Sequence, residues 1–77
     1  MKAIVGNRIK NVEIVAIEFG YSIQVIFKTA FGNSEYISVQ NGLGDISEDT
    51  QYEIMNEVES QKYISEKVLA EIIESWK

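Results

Sequence analysis

Residues 14–27 read IVAIEFGYSIQVIF, and this stretch decides the fold. It contains two runs of apolar and β-branched residues, which favour strands, on either side of a single glycine, Gly20. A connection this short permits only antiparallel pairing. The stretch therefore predicts a central β-hairpin, and we expect the rest of the chain to cover one of its faces.

The first strand of this hairpin has an imperfect alternation of apolar and polar residues. Ile14 and Val15 are neighbours, yet side chains along a strand point to opposite faces at successive residues. A β-bulge would turn both apolar sets inward, and a partly covered second face would explain the pattern without a bulge. We favour an inward face made of Val15, Ile17 and Phe19, which leaves Val12 and Ile14 on the outer face.

The second strand alternates more regularly, because Ile23, Val25 and Phe27 are separated by polar residues or by Ile26. Ile26 is apolar on the face that is otherwise polar. Together with Val12 and Ile14, it predicts an apolar outer surface of the sheet. Two copies of such a sheet can pack back to back, and this surface is our candidate homodimer interface.

Turn signals extend the hairpin into a meander over residues 1–40. Gly6 and Asn7 suit a two-residue turn that needs a positive φ at its first position, which predicts an additional N-terminal strand. Residues 31–34 supply another turn, followed by a short strand over residues 35–39. The pattern predicts an antiparallel sheet of three or four strands.

Beyond a glycine-containing loop at residues 41–47, the apolar period becomes that of a helix through residues 48–77. Ser65 is a good N-cap and favours two helices, near 49–59 and 66–76, although one bent helix also fits. Thr50 with Glu53 makes a capping box at the start, with Ser47 or Asp49 as alternative caps. The sequence thus predicts one α+β domain, 1–77, with the helices on one face of the sheet.

The amino-acid composition limits the kinds of catalytic and binding site that the chain can form. The chain has no Cys and no His, so thiolate chemistry and the commonest general base and metal ligand are missing. The carboxylates Asp45, Asp49, Glu53 and Glu57 do not match a calcium loop, and the nearby glycines have no cation beside them to hold a phosphate. We therefore expect no enzymatic activity, no cofactor and no metal site.

The charge is unevenly distributed. Residues 1–40 have four basic and three acidic side chains, a net +1, whereas residues 41–77 have three basic and nine acidic ones, a net −6. Direct binding to nucleic acid or to an anionic membrane requires a cationic surface, so we expect neither. No apolar run reaches the roughly 18 residues of a transmembrane helix, and a cytoplasmic location is expected.

The remaining candidate site is acidic. Asp49, Glu53 and Glu57 follow one another at four-residue spacing on one helix face, and Asp45 precedes them. This surface predicts a non-enzymatic protein-interaction module with an unknown protein partner. The alternatives are an acidic mimic of nucleic acid that inhibits a DNA- or RNA-binding protein, and a structural homodimer.

The source is also suggested by composition. The chain has no Pro and a single Arg, Arg8, while Ile, Lys and Asn are plentiful. This balance is typical of AT-rich genomes. A phage or prophage accessory factor of a low-GC bacterium is accordingly the more specific form of the interaction-module hypothesis.

Overall fold

The computed structural model describes residues 1–77 as a sheet of five strands with two helices, one before the fifth strand and one after it. In chain order the elements are β1 (Lys2–Val5), β2 (Arg8–Phe19), β3 (Ser22–Thr29), β4 (Ser34–Gln40), α1 (Glu48–Glu59), β5 (Tyr63–Ile64) and α2 (Glu66–Ser75). The α+β class is confirmed, with an antiparallel meander followed by C-terminal helices that pack against it. Neither helix combines the length and apolar character that crossing a bilayer requires.

The strand order across the sheet is β4-β3-β2-β1-β5. Strands β1 to β4 pair antiparallel through consecutive hairpins, so the meander has four strands. The first hairpin turns at Gly6, whose φ of 62° confirms the positive φ that the sequence predicted there. The fifth strand, β5, pairs parallel with β1 and places Ile64 beside Ala3. No sequence pattern predicts it, because two residues are too few to show a period.

Strand β2 is shared between two pairings, and a bulge lies within it. Residues 8–11 pair with β1, whereas β2 pairs with β3 from Val12 onward. The register shifts between Ile14 and Ala16, so Val15 is the extra residue. Our preferred inward position for Val15 is therefore wrong, because this side chain is 56% exposed.

The same bulge overturns the candidate homodimer surface. Val12 is 8% exposed within the core, and Ile14 packs against that core, so both lie on the face that the helices cover. The extra residue reverses the alternation, and thus Ile14 and Ile17 lie on one face although they are three positions apart. Only Ile26 faces outward as expected, and it is half-buried in a row between Ala16 and Tyr36.

One apolar cluster joins the sheet to the helices. It contains 12 buried residues and no buried polar side chain. Its members are Ala3, Val12, Ile23, Val25, Phe27, Ile37, Ile54, Val58, Ile64, Leu69, Ile72 and Ile73. All five strands contribute side chains to this cluster from the same face of the sheet. The opposite face of the meander is left uncovered by the chain itself.

The helical half contains two helices, and the one-helix alternative is wrong. Helix α1 ends at Glu59, and Ser65 begins α2 by accepting a hydrogen bond from the Val68 amide at 3.1 Å. At the start of α1 the cap is Ser47, whose side chain accepts from the Thr50 amide at 3.2 Å. Of the three caps that the sequence allowed, the structure thus selects the earliest.

Replacing Ser65 by alanine should lower the free energy of unfolding by about 1 kcal/mol, because the Val68 amide then loses its acceptor. For a domain of this size that loss corresponds to a melting temperature roughly 4–8 °C lower in circular dichroism. Ser65→Asn is the matched control, since it retains a capping oxygen. An equal loss in both variants would show that the cap contributes nothing.

Candidate functional site

Helix α1 is amphipathic and is held against the sheet by its apolar side. Ile54 and Val58 are fully buried, and their position fixes which side of the helix meets solvent. The N-terminal end is further held by the Gln51 side chain, which donates to the Ile46 carbonyl at 2.9 Å. The exposed side of α1 is therefore a defined surface rather than a freely turning one.

The structure places the four predicted acidic residues in three different settings. Asp49 and Glu53 are exposed together on α1, and Glu57 is half-buried at the margin of the same helix. Asp45 is exposed in the loop before the helix. A spacing of four residues turns about 40° past a full helical turn at each step, so a stripe that begins outward moves toward the core by its third member.

The exposed face of α1 includes residues that the four-residue spacing missed. Glu48 and Glu59 are exposed at the two ends of the helix, and Tyr52 is 66% exposed between Asp49 and Glu53 along the chain. Positions three and four apart share a helix face, which is the signal that could have found Tyr52 and Asn56 beside Asp49. We call Glu48, Asp49, Tyr52, Glu53, Asn56, Glu57 and Glu59 the acidic helix surface.

The acidic helix surface has no internal cation. Helix α1 contains five carboxylates and no Lys or Arg. The two ion pairs of the molecule lie elsewhere, since Lys10 binds Glu35 at 2.7 Å and Lys77 binds Glu74 at 2.9 Å. All five α1 carboxylates are thus without a basic partner inside the chain.

This arrangement opposes the stability of the helix. Like charges four residues apart, such as Asp49 and Glu53, destabilise a helix by a few tenths of a kcal/mol. Glu57 and Glu59 lie in the last turn, where the helix dipole favours cations and the chain provides none. Glu48 and Asp49 in the first turn are the favourable exceptions. Glu57 and Glu59 thus oppose the helix dipole without a compensating cation inside α1.

Two shallow clefts lie on either side of the loop between β4 and α1. Each has a volume of about 650 Å³ and opens broadly to solvent. Asp45 lines both clefts and is the only carboxylate in either. No group of three or more Asp and Glu side chains converges as a metal site would require. The predicted acidic residues thus do not assemble into an enclosed site.

Exposed aromatic side chains lie at separate places on the molecule. Tyr21 and Phe31 are almost fully exposed at the two turns that flank β3. Tyr36 lies on the outer face of the sheet, and Tyr52 lies on α1. Only Tyr52 shares a surface with the carboxylates, so it is the one aromatic contact that the acidic helix surface offers.

Comparisons of the chain with protein-family models, with curated proteins and with solved structures find no match. Function is therefore inferred from the residues and geometry of this chain alone.

Proposed function

We propose that the chain is a non-enzymatic protein-interaction module whose acidic helix surface binds a basic surface of another protein. The observation that supports this proposal is the set of five α1 carboxylates without a single cation among them or paired to them. These unpaired carboxylates lower the stability of α1, and a partner that supplies the counter-charges would explain their presence. The more specific form is an accessory factor of a phage or prophage that binds a host protein.

The chemistry of the surface defines the partner. Exposed carboxylates accept charge-assisted hydrogen bonds from Arg and Lys side chains, which are stronger than neutral hydrogen bonds. Tyr52 adds a rigid aromatic contact of the kind enriched in interfaces. Complementary charges also steer the encounter and raise the association rate. The partner is expected to present several Arg or Lys side chains around an apolar spot that receives Tyr52.

Reversing the two central charges should abolish this binding. Asp49→Lys with Glu53→Lys changes the net charge from −5 to −1 while altering only exposed side chains of α1. The test uses immobilised protein to capture the partner from a low-GC bacterial lysate at about 0.1 M salt and to release it at about 1 M, where the screening length falls to roughly 3 Å. We expect the partner to bind the wild type and not the variant.

The matched control is Glu18→Lys with Glu71→Lys, which makes the same change in net charge on strand β2 and helix α2. This variant should capture the partner as well as the wild type does. If both double variants lose the partner equally, overall charge rather than the acidic helix surface is responsible. Binding that survives 1 M salt and the α1 reversal would contradict the proposal.

The spacing of the carboxylates favours a second, narrower candidate, an inhibitor that mimics nucleic acid. Helix α1 has five carboxylates in 12 residues, and a rise of 1.5 Å per residue spreads them at about one charge per 3.6 Å. One strand of DNA has a phosphate charge about every 3.4 Å along the axis. If the captured partner binds duplex DNA, the wild type should displace the DNA and the α1 reversal should not.

A further inference from the structure

Strand β4 is the last strand of the sheet, and one of its edges has no partner. It pairs with β3 over seven consecutive positions, from Ser34 to Gln40, without a register shift. Hydrogen bonds from the Asn41 amide to the Tyr21 carbonyl and from the Thr29 amide to the Asn33 carbonyl fix which residues bond to β3. Antiparallel strands form backbone hydrogen bonds at alternate residues, so the amides and carbonyls of the odd-numbered positions of β4 point toward β3.

The even-numbered positions of β4 therefore direct their backbone groups away from the sheet. Ser34, Tyr36, Ser38 and Gln40 each present one amide and one carbonyl along the open edge. No loop, helix or side chain of the molecule donates to or accepts from them. This edge is a row of free hydrogen-bonding groups at the spacing that another strand requires.

The two open edges of the meander differ in how they are protected. Beyond its pairing with β1, strand β2 has the bulge at Val15 and two exposed acidic side chains, Glu13 and Glu18. Bulges and charges of this kind prevent strand addition. Strand β4 has no bulge, Pro or Lys, and its single charge, Glu35, is neutralised by Lys10 at 2.7 Å. The far side of the sheet ends in β5, which has only two residues, so β4 is the one long edge without such protection.

We propose that the open edge of β4 binds the β4 strand of a second copy of this chain, antiparallel and about a two-fold axis at Ile37. In this register Ser34 lies opposite Gln40 of the second copy, and Tyr36 lies opposite Ser38. The four facing pairs form about eight backbone hydrogen bonds, which satisfy every free group on both edges. A shift by two residues in either direction leaves groups at both ends unpaired.

Side chains support a second copy as the occupant, because the strand is complementary to itself in this register. Glu35 lies opposite Val39 of the second copy, so no like charges face each other between the two paired strands. Tyr36 is 61% exposed and becomes the diagonal neighbour of the other Tyr36, within reach of an aromatic contact. The pairing closes, since the two-fold arrangement uses the same β4 edge of both copies, and a dimer rather than a filament results.

The dimer leaves the proposed binding surface free. Helix α2 contacts β4, whereas α1 contacts β2 and α2. The two acidic helix surfaces therefore remain exposed and make the dimer bivalent, which raises avidity for a partner that has two basic sites. The edge pairing itself depends only on β4 and stands whether or not α1 binds a partner.

The test measures mass by light scattering over a concentration series of the purified full chain. The wild type should reach twice its monomer mass of 8.7 kDa. Ser38→Pro removes an amide that β3 does not use, and Tyr36→Lys places two cations in diagonal contact; each should weaken dimerisation about tenfold or more. Gln24→Lys is the control, because it adds a cation on the same sheet face in the interior strand β3 and should leave the dimer intact.

Hydrogen exchange keeps the proposal testable if Ser38→Pro fails to fold. The amides of Tyr36 and Ser38 in the wild type should become protected as the concentration rises, whereas the amide of Val39 is protected throughout by β3. A monomer at about millimolar concentration overturns the proposal and leaves the edge to an extended peptide of another protein. A dimer that Gln24→Lys disrupts and Tyr36→Lys does not would also overturn it, in favour of packing through the sheet face.

Discussion

Replacing Val12 by aspartate should destabilise the protein by about 3–5 kcal/mol, enough to unfold a large fraction of the molecules, while Val15→Asp should change stability by less than about 1 kcal/mol. The two valines are three positions apart on one strand, and both substitutions introduce the same carboxylate side chain. Val12 is 8% exposed in the core, and Val15 is 56% exposed at the bulge. Lys10, two residues earlier on the same face of β2, is already bound to Glu35 at 2.7 Å, so an aspartate at Val12 would be buried in the apolar cluster without an unpaired cation.

Urea denaturation followed by circular dichroism measures both variants, and equal slopes in the transitions confirm that the unfolded states are comparable. The pair of variants tests the bulge directly. In a strand without a bulge, Val15 would face the core and Val12 would face solvent. If Val15→Asp proves to be the damaging variant, the strand runs without a bulge and Val12 faces solvent.

Some parts of the fold are visible in the sequence because one local pattern determines them. Strand β3 alternates Ile23, Val25 and Phe27 with its other residues, and the structure buries all three. The turn at Gly6 follows from its conformational freedom. The division of the helical half follows from the capping chemistry of Ser65. In each case a few neighbouring residues carry all the information.

Other parts are set by contacts that no local pattern contains. Two apolar sets on β2 predict a bulge or a covered second face equally well, and only the pairing with β3 selects the bulge at Val15. Strand β5 exists because Ile64 is buried beside Ala3, about 60 residues earlier in the chain. The ion pair between Lys10 and Glu35 joins residues 25 positions apart. Such features depend on the assembled sheet.

The acidic site shows the same division. Four-residue spacing correctly brings Asp49 and Glu53 onto one exposed helix face, but it also includes Glu57, which turns toward the core. The absence of cations inside α1 is visible in the sequence. That no Lys or Arg from another element reaches α1 is a property of the fold, since neither of the two ion pairs in the structure includes an acid of α1.

The largest single loss of packing is expected for Phe27→Ala. Phe27 is fully buried in the interior strand β3, within the cluster that joins the sheet to both helices. Truncating a buried phenylalanine costs about 3–5 kcal/mol, because transfer free energy is lost and a cavity remains. A domain of 77 residues has a total stability of roughly 4–12 kcal/mol, so this one change removes much of it.

Ile26→Ala is the matched control, since Ile26 is the next residue along β3 and is half-buried on the uncovered face. Thermal denaturation should show a melting temperature roughly 15 °C or more lower for Phe27→Ala and about 4–8 °C lower for Ile26→Ala, where the loss is near 1 kcal/mol. Equal losses would mean that a second copy or another protein covers the outer face as fully as the helices cover the inner one. If dimerisation through β4 leaves that face open, as the edge pairing requires, the difference between the two variants persists at every protein concentration.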